Sequence, residues 1–118
     1  MTRDVILYVS DILTNMDESM SYIEGMSYEQ FVKDTRTSKA VIRSIEIMGE
    51  AVKNIPDEIR AMQSDVPWRE IARMRDKCIH FYFGVDYEIV WNAVKEHIPR
   101  LRPMLQLLLD ELRTSEKK

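Results

Sequence analysis

The sequence is poor in everything that makes loops and cross-links. Its 118 residues include one cysteine, three glycines and four prolines. The lone Cys78 excludes an internal disulfide and fits a reducing compartment such as the cytosol. So little glycine and proline disfavours a turn-rich β fold. No apolar run approaches the roughly 20 residues that a membrane-spanning helix needs. The amino terminus, Met1-Thr2-Arg3-Asp4, turns acidic at once and lacks the basic start of a secretory signal. A soluble, cytoplasmic protein with no membrane association is the expectation. The net charge of −3 argues against a general nucleic-acid coat.

What is present favours helix. Aliphatic side chains and eight methionines dominate, and the length suits one domain over residues 1–118 with its own core. Val5, Val9, Ile12, Met16, Met20 and Ile23 recur at three- and four-residue spacing, which predicts a first helix from about Asp4 to Ile23. Ser27-Tyr28-Glu29-Gln30 reads as a capping box opening a short second helix. A long third helix, capped near Asp34 or Thr35, carries the stripe Val41, Ile45, Met48, Val52 and Ile55 and stops at Pro56. A short helix over Asp57–Gln63 follows. Val66-Pro67-Trp68 then opens a helix expected to run to Gly84. Asp86 caps the next, Pro99 breaks or kinks it, and Leu101, Met104, Leu105, Leu108 and Leu112 form the last stripe. The fold class is therefore all-α, an up-down bundle of four to five main helices.

The chemistry concentrates in Arg75-Asp76-Lys77-Cys78-Ile79-His80-Phe81-Tyr82. Arginine offers a permanent planar cation that suits phosphate, and histidine moves protons near neutral pH. Residues 1–68 carry seven basic and twelve acidic side chains, whereas 69–102 carry seven basic and five acidic, so the basic part surrounds this segment. On a continuing helix, Ile71, Met74, Cys78 and Phe81 face the core and His80 lies outward with Arg73, Asp76 and Lys77. Arg73 and Lys77 are candidate RNA-binding cations. Asp76, four residues before His80, would orient its ring. Arg75 and His80, however, fall about 140° apart on an ideal helix. Three solutions exist: a long reach by Arg75, a distorted helix before Gly84, or a site shared by two subunits. The third predicts a homodimer meeting along this outer face.

Other residues take plainer readings. His97 precedes Pro99, and a cation at a helix end there favours the carbonyl dipole. Glu46 and Glu50 share a helix face, but a di-metal bundle needs Glu-x-x-His pairs and neither histidine has a Glu at that spacing. Pairing of these glutamates with Arg43 or Arg75 is expected, with no metal and no cofactor. Cys78 falls on the core stripe as a small hydrophobe. Trp68 and Trp91 pack or sit at a subunit interface.

With these residues in view, Arg75-x4-His80-Phe81-Tyr82 resembles the Arg-x4-6-His signature of HEPN domains. Ile45-Glu46-Ile47-Met48-Gly49-Glu50-Ala51, Val66-Pro67-Trp68, Met74-Arg75-Asp76, Tyr82-Phe83-Gly84-Val85-Asp86 and Val90-Trp91 narrow the resemblance to HepT-like toxins, over roughly residues 40–100. The resemblance implies a helical, dimeric, metal-independent endoribonuclease, the toxin of a type II or VII toxin–antitoxin pair. Its antitoxin is an MNT-type nucleotidyltransferase, and its substrate is RNA such as tRNA or mRNA. It also implies that Arg75 and His80 are catalytic, that Asp76 assists them, and that Tyr82 is the tyrosine the antitoxin adenylylates. A non-catalytic helical subunit, binding the nucleotidyltransferase or its substrate through the same residues, is the alternative. A purely structural helical oligomer is a third reading.

Overall fold

Three helices in this chain begin where a side chain accepts an orphan amide proton of the first turn. Ser27 accepts from the Gln30 amide at 3.2 Å while the Gln30 side chain accepts from the Ser27 amide at 2.9 Å. Asp34 accepts from the Thr37 amide at 3.0 Å, and Asp86 from the Ile89 amide at 3.2 Å. The structure is a computed structural model, and it describes residues 2–80 and 84–116, with the side chains of Thr2 and His80 excepted. The elements are α1 (Thr2–Tyr22), α2 (Tyr28–Lys33), α3 (Thr35–Lys53), α4 (Asp57–Arg60) running into a 3₁₀ turn (Ala61–Gln63), and α5 (Trp68–Cys78). Two short strands follow, β1 (Ile79–His80) and β2 (Gly84–Val85), then α6 (Tyr87–Asn92), a π turn (Ala93–His97) and α7 (Ile98–Glu116). The protein is an all-α helical bundle, and the two-residue strands are a local hairpin within it.

The predicted stripes meet in one core. α1 packs against α3 and α7, and α3 packs against α5. Val9, Ile12 and Met16 of α1, Ile45 and Met48 of α3, Ile71 of α5 and Leu105 and Leu108 of α7 are all essentially inaccessible. Each such side chain contributes roughly 1.5–3 kcal/mol by leaving water. α2 docks through Phe31, which is fully buried and meets the rings of Trp91 at 5.3 Å and Tyr87 at 6.1 Å. Lys95 lies 5.4 Å from the Trp91 ring centroid. Arg102 of α7 forks onto the Asp17 carboxylate of α1, holding it below the usual carboxylate range. No helix among the described residues is long and apolar enough to cross a membrane.

Two details differ from the periodicity reading. Of the break or kink expected at Pro99, the break does not occur, and the helical course continues through it with a π distortion just before. Lacking an amide proton and crowding the carbonyl four residues before it, proline is normally incompatible with a helix interior. Here the preceding π turn, in which the Ile98 amide reaches back to the Ala93 carbonyl, widens the helix ahead of the proline. His97 consequently sits inside that turn, not at a helix terminus. The carboxy-terminal end of α3 is closed by tertiary structure. Arg60 donates to the Val52 carbonyl at 2.8 Å and the Ile55 carbonyl at 3.1 Å. The indole of buried Trp68 then ties to the carbonyls of Arg60 and Gln63.

Candidate functional site

α5 sets the site because its two faces have opposite jobs. Trp68, Ile71 and Cys78 are buried, Met74 is half-buried, and Arg73, Arg75, Asp76 and Lys77 are exposed. The core stripe is as the spacing predicts up to Cys78. There the helix ends, short of the Gly84 expected from sequence. Ile79 is extended (φ −122°, ψ 120°), and β1 turns back on β2 with Ile79 opposite Val85 and His80 opposite Gly84. The Asp86 amide donates to the Cys78 carbonyl at 2.7 Å and closes the corner. The reason lies in composition. Ile79 is β-branched and an aromatic run follows, residue types that favour extended chain. Gly84, at φ 79°, supplies a left-handed conformation that other residues rarely adopt.

This corner changes the geometry of the motif. The 140° separation applied to a continuous helix, and position 80 instead belongs to a strand. The helix is interrupted before Gly84, one of the three solutions open from sequence. The i,i+4 relation between Asp76 and His80 also lapses. The Asp76 carboxylate lies 3.5 Å from the Arg75 guanidinium. Glu46 of α3 approaches the same guanidinium from the other side at 3.8 Å. Both separations exceed ordinary hydrogen-bond lengths, so the planar fork of Arg75, 47% exposed, keeps donors for a phosphate.

The approach of α3 to α5 is what brings Glu46 to Arg75. Gly49, buried on α3, faces α5 so closely that a Cβ there would lie 3.4 Å from the Ala72 carbonyl oxygen. Between the two helices lies a cleft of about 240 Å³, lined by Arg43, Glu46, Glu50, Lys53, Arg75 and Asp76. Three cations and three carboxylates line it. Of the two partners expected for the glutamates, Arg43 and Arg75, Glu46 meets the motif arginine, whereas Glu50 pairs with Lys53 at 3.4 Å, a partner the sequence reading had not named.

The other sequence candidates fall elsewhere. Lys77 is on the opposite flank of α5, where with Glu70 and Met74 it borders a second cavity that also receives His97 and Arg100. Sequence reading had no local signal for that meeting, since more than twenty positions separate Lys77 from Arg100. Arg73 is solvent-facing on the outer side of the helix. The His80 side chain and the whole of Tyr82 lie outside the described residues. Cys78 is fully buried, and burial first, then the nearby Asp86 charge, pushes its thiol up to about 11. That thiol is not a nucleophile at neutral pH. Among the described residues no group of three or more His, Cys, Asp or Glu side chains could hold a metal ion.

Comparison with known proteins agrees with the motif blocks. The family profile described as "Ribonuclease HepT-like" matches residues 12–108. A Methanocaldococcus jannaschii protein named, provisionally, as an RNase is 46% identical over 97 residues, 82% of this chain and 80% of that one. A Caldanaerobacter subterraneus protein named in the same provisional way is 46% identical over 104 residues, 88% of this chain and 93% of its own. A Thermococcus cleftensis protein, "Probable ribonuclease HepT", is 45% identical over 101 residues, covering 86% of this chain and 92% of that one. No solved structure gives a significant match. A helical bundle, an exposed arginine ahead of a tight corner at the motif histidine, and similarity across most of the chain lead to one conclusion: the chain belongs to the ribonuclease HepT-like family, the HEPN-type ribonucleases.

Proposed function

We propose that this protein is a metal-independent endoribonuclease whose site, formed by Arg75 and His80, is shared across a homodimer. The observation that carries the reading is the Arg75 guanidinium, exposed and flanked by Glu46 and Asp76 without a close hydrogen bond to either. Cleavage of RNA without metal needs a base for the 2′-hydroxyl, an acid for the departing 5′-oxygen, and positive charge for the phosphorane between them. The 2′-oxygen attacks the adjacent phosphorus, the phosphorus–5′-oxygen bond breaks, and a 2′,3′-cyclic phosphate and a 5′-hydroxyl result. One His80 accepts the 2′ proton and the His80 of a second subunit gives one to the 5′-oxygen. The two Arg75 side chains hold the phosphate.

The balanced charge of the α3–α5 cleft leaves the phosphate to be held by Arg75 directly and not by a net field. With three cations set against three carboxylates, a single subunit offers little net attraction to a polyanion. A second subunit doubles the motif cations around one phosphate. Asp76 and Glu46 act by holding Arg75 in place. Glu46→Gln is expected to lower kcat by about ten- to a hundredfold through misplacement of the guanidinium, with KM unchanged or lower. A rise in KM alone would assign Glu46 to RNA binding instead.

The partner in this reading is an MNT-type nucleotidyltransferase acting as antitoxin. Adenylylation of Tyr82 would set a phosphate's negative charge and bulk two residues from His80 and repel RNA. The deciding experiment is incubation of tRNA and total RNA with the purified, unmodified protein in excess EDTA. Cleavage leaving cyclic phosphate ends is the expected result. Intact RNA after incubation with folded protein of unmodified mass would overturn the reading in favour of a non-catalytic binding subunit.

A further inference from the structure

We propose that the cavity on the α6–α7 side of α5 is a nucleotide subsite, taking one base of a single-stranded RNA and the phosphate beside it. The inference rests on the ribonuclease reading but concerns a surface away from Arg75 and His80. The cavity, about 210 Å³, opens where α5 meets the π turn and the start of α7. Its floor is apolar, made by Ile71, Met74, Ala93 and Leu101, and it suits the face of a planar base. Two side chains at its edge, Glu70 and Asn92, carry complementary hydrogen-bonding chemistry. The carboxylate accepts, and the amide both donates and accepts, as the edge of an unpaired base requires.

The rest of the rim carries two cations, Lys77 and Arg100, and the imidazole of His97. The Arg100 guanidinium faces Nδ1 of His97 at 3.4 Å. A guanidinium only donates, so in the neutral imidazole the proton sits on Nε2, leaving that N–H for another acceptor. Three cationic or donor groups around an apolar floor match a base with its phosphate and offer nothing to an acidic peptide's side chains beyond charge. His97 and Arg100, three residues apart, share one helix face and so one opening, and the π turn at Ala93–His97 that borders it is a distortion that recurs at ligand sites.

Position along the chain sets the polarity of the interaction. Lys77 and Arg75 lie on opposite flanks of α5, about half a circumference of a helix roughly 10 Å across. A strand whose scissile phosphate sits at Arg75 passes over the outer face, along Lys77 and Arg73, before its next base can enter the cavity. The subsite therefore reads a nucleotide removed from the cleaved bond, and it gives the enzyme a sequence preference that the phosphate-directed motif cannot.

Binding of fully 2′-O-methylated hexanucleotides of each base, followed by fluorescence anisotropy, separates the roles because these probes cannot be cleaved. The native protein is expected to prefer one base. Asn92→Leu or Glu70→Gln should reduce that preference about tenfold. Arg100→Ala should weaken all sequences alike and lower the salt slope by about one. All three residues are exposed, and unchanged thermal melting verifies that the variants fold. Binding indifferent to base and to all three substitutions, or no binding at all, would overturn the subsite, even if the protein cleaves RNA. The expected dependences in a protein that cleaves nothing would keep the subsite and sink the nuclease. Free nucleoside monophosphates should bind at least tenfold more weakly than the hexanucleotide; equal binding would overturn the assignment to RNA in favour of a free nucleotide.

Discussion

His80→Ala is expected to reduce RNA cleavage by about 10²–10⁴-fold, the range a positioned general acid or base supplies. Because the proposed site uses two copies of this residue, the loss should fall at the upper end, with base and acid removed together. Mixed dimers make the test sharper. A heterodimer of one native and one His80→Ala subunit retains a single imidazole, so it should be nearly as slow as the double variant. Half of native activity in that heterodimer, measured with differently tagged subunits purified together, would show that each subunit carries a complete site. Thermal melting of the variant should match the native protein, since the bundle core is made of the stripes of α1, α3, α5 and α7.

Phe31→Ala is the substitution expected to cost most in stability, about 3–5 kcal/mol for a fully buried phenylalanine. Urea denaturation monitored by circular dichroism would report it. Among the described residues Phe31 is the largest fully buried side chain, and it anchors a six-residue helix too short to hold itself. Its partners Trp91 and Tyr87 belong to α6, so the same ring fixes the element that follows the hairpin. Phe31→Leu, which keeps apolar contact but loses the ring edges, should cost much less. Equal losses for the two would mean that the ring contacts with Trp91 and Tyr87, and not apolar bulk, carry the stability.

Which features were legible in the sequence follows from how local their causes are. Helix starts are set by one side chain and an amide three residues on, and Ser27, Asp34 and Asp86 were found at their caps. The core stripes were legible for the same reason, as periodicity reports burial directly. For Glu46 the sequence left two basic partners open, Arg43 and Arg75, and only the approach of α3 to α5 selects Arg75. The end of α5 was not legible. Ile71, Met74, Cys78 and Phe81 keep helical spacing through the corner, and what overrides it is pairing of Ile79 with Val85 and of Cys78 with Asp86. Likewise nothing beside Pro99 announces a π turn, and nothing near Lys77 announces Arg100. Those meetings depend on packing between distant segments.

The corner at Cys78 has a consequence for how the motif is measured. Between Arg75 and Cys78 the chain advances at about 1.5 Å per residue and rotates as a helix; beyond Cys78 it advances at about 3.3 Å and alternates. The interval separating the two motif residues is thus a sum of two different rulers. An extra residue inside α5 would swing everything after it by about 100°. One added between Cys78 and His80 would reverse the face on which position 80 falls, and two would restore it. Natural variation in the spacing of such motifs is then a matter of which ruler absorbs the change, and the extended side of the corner is where length can vary in pairs without changing the strand face on which position 80 falls.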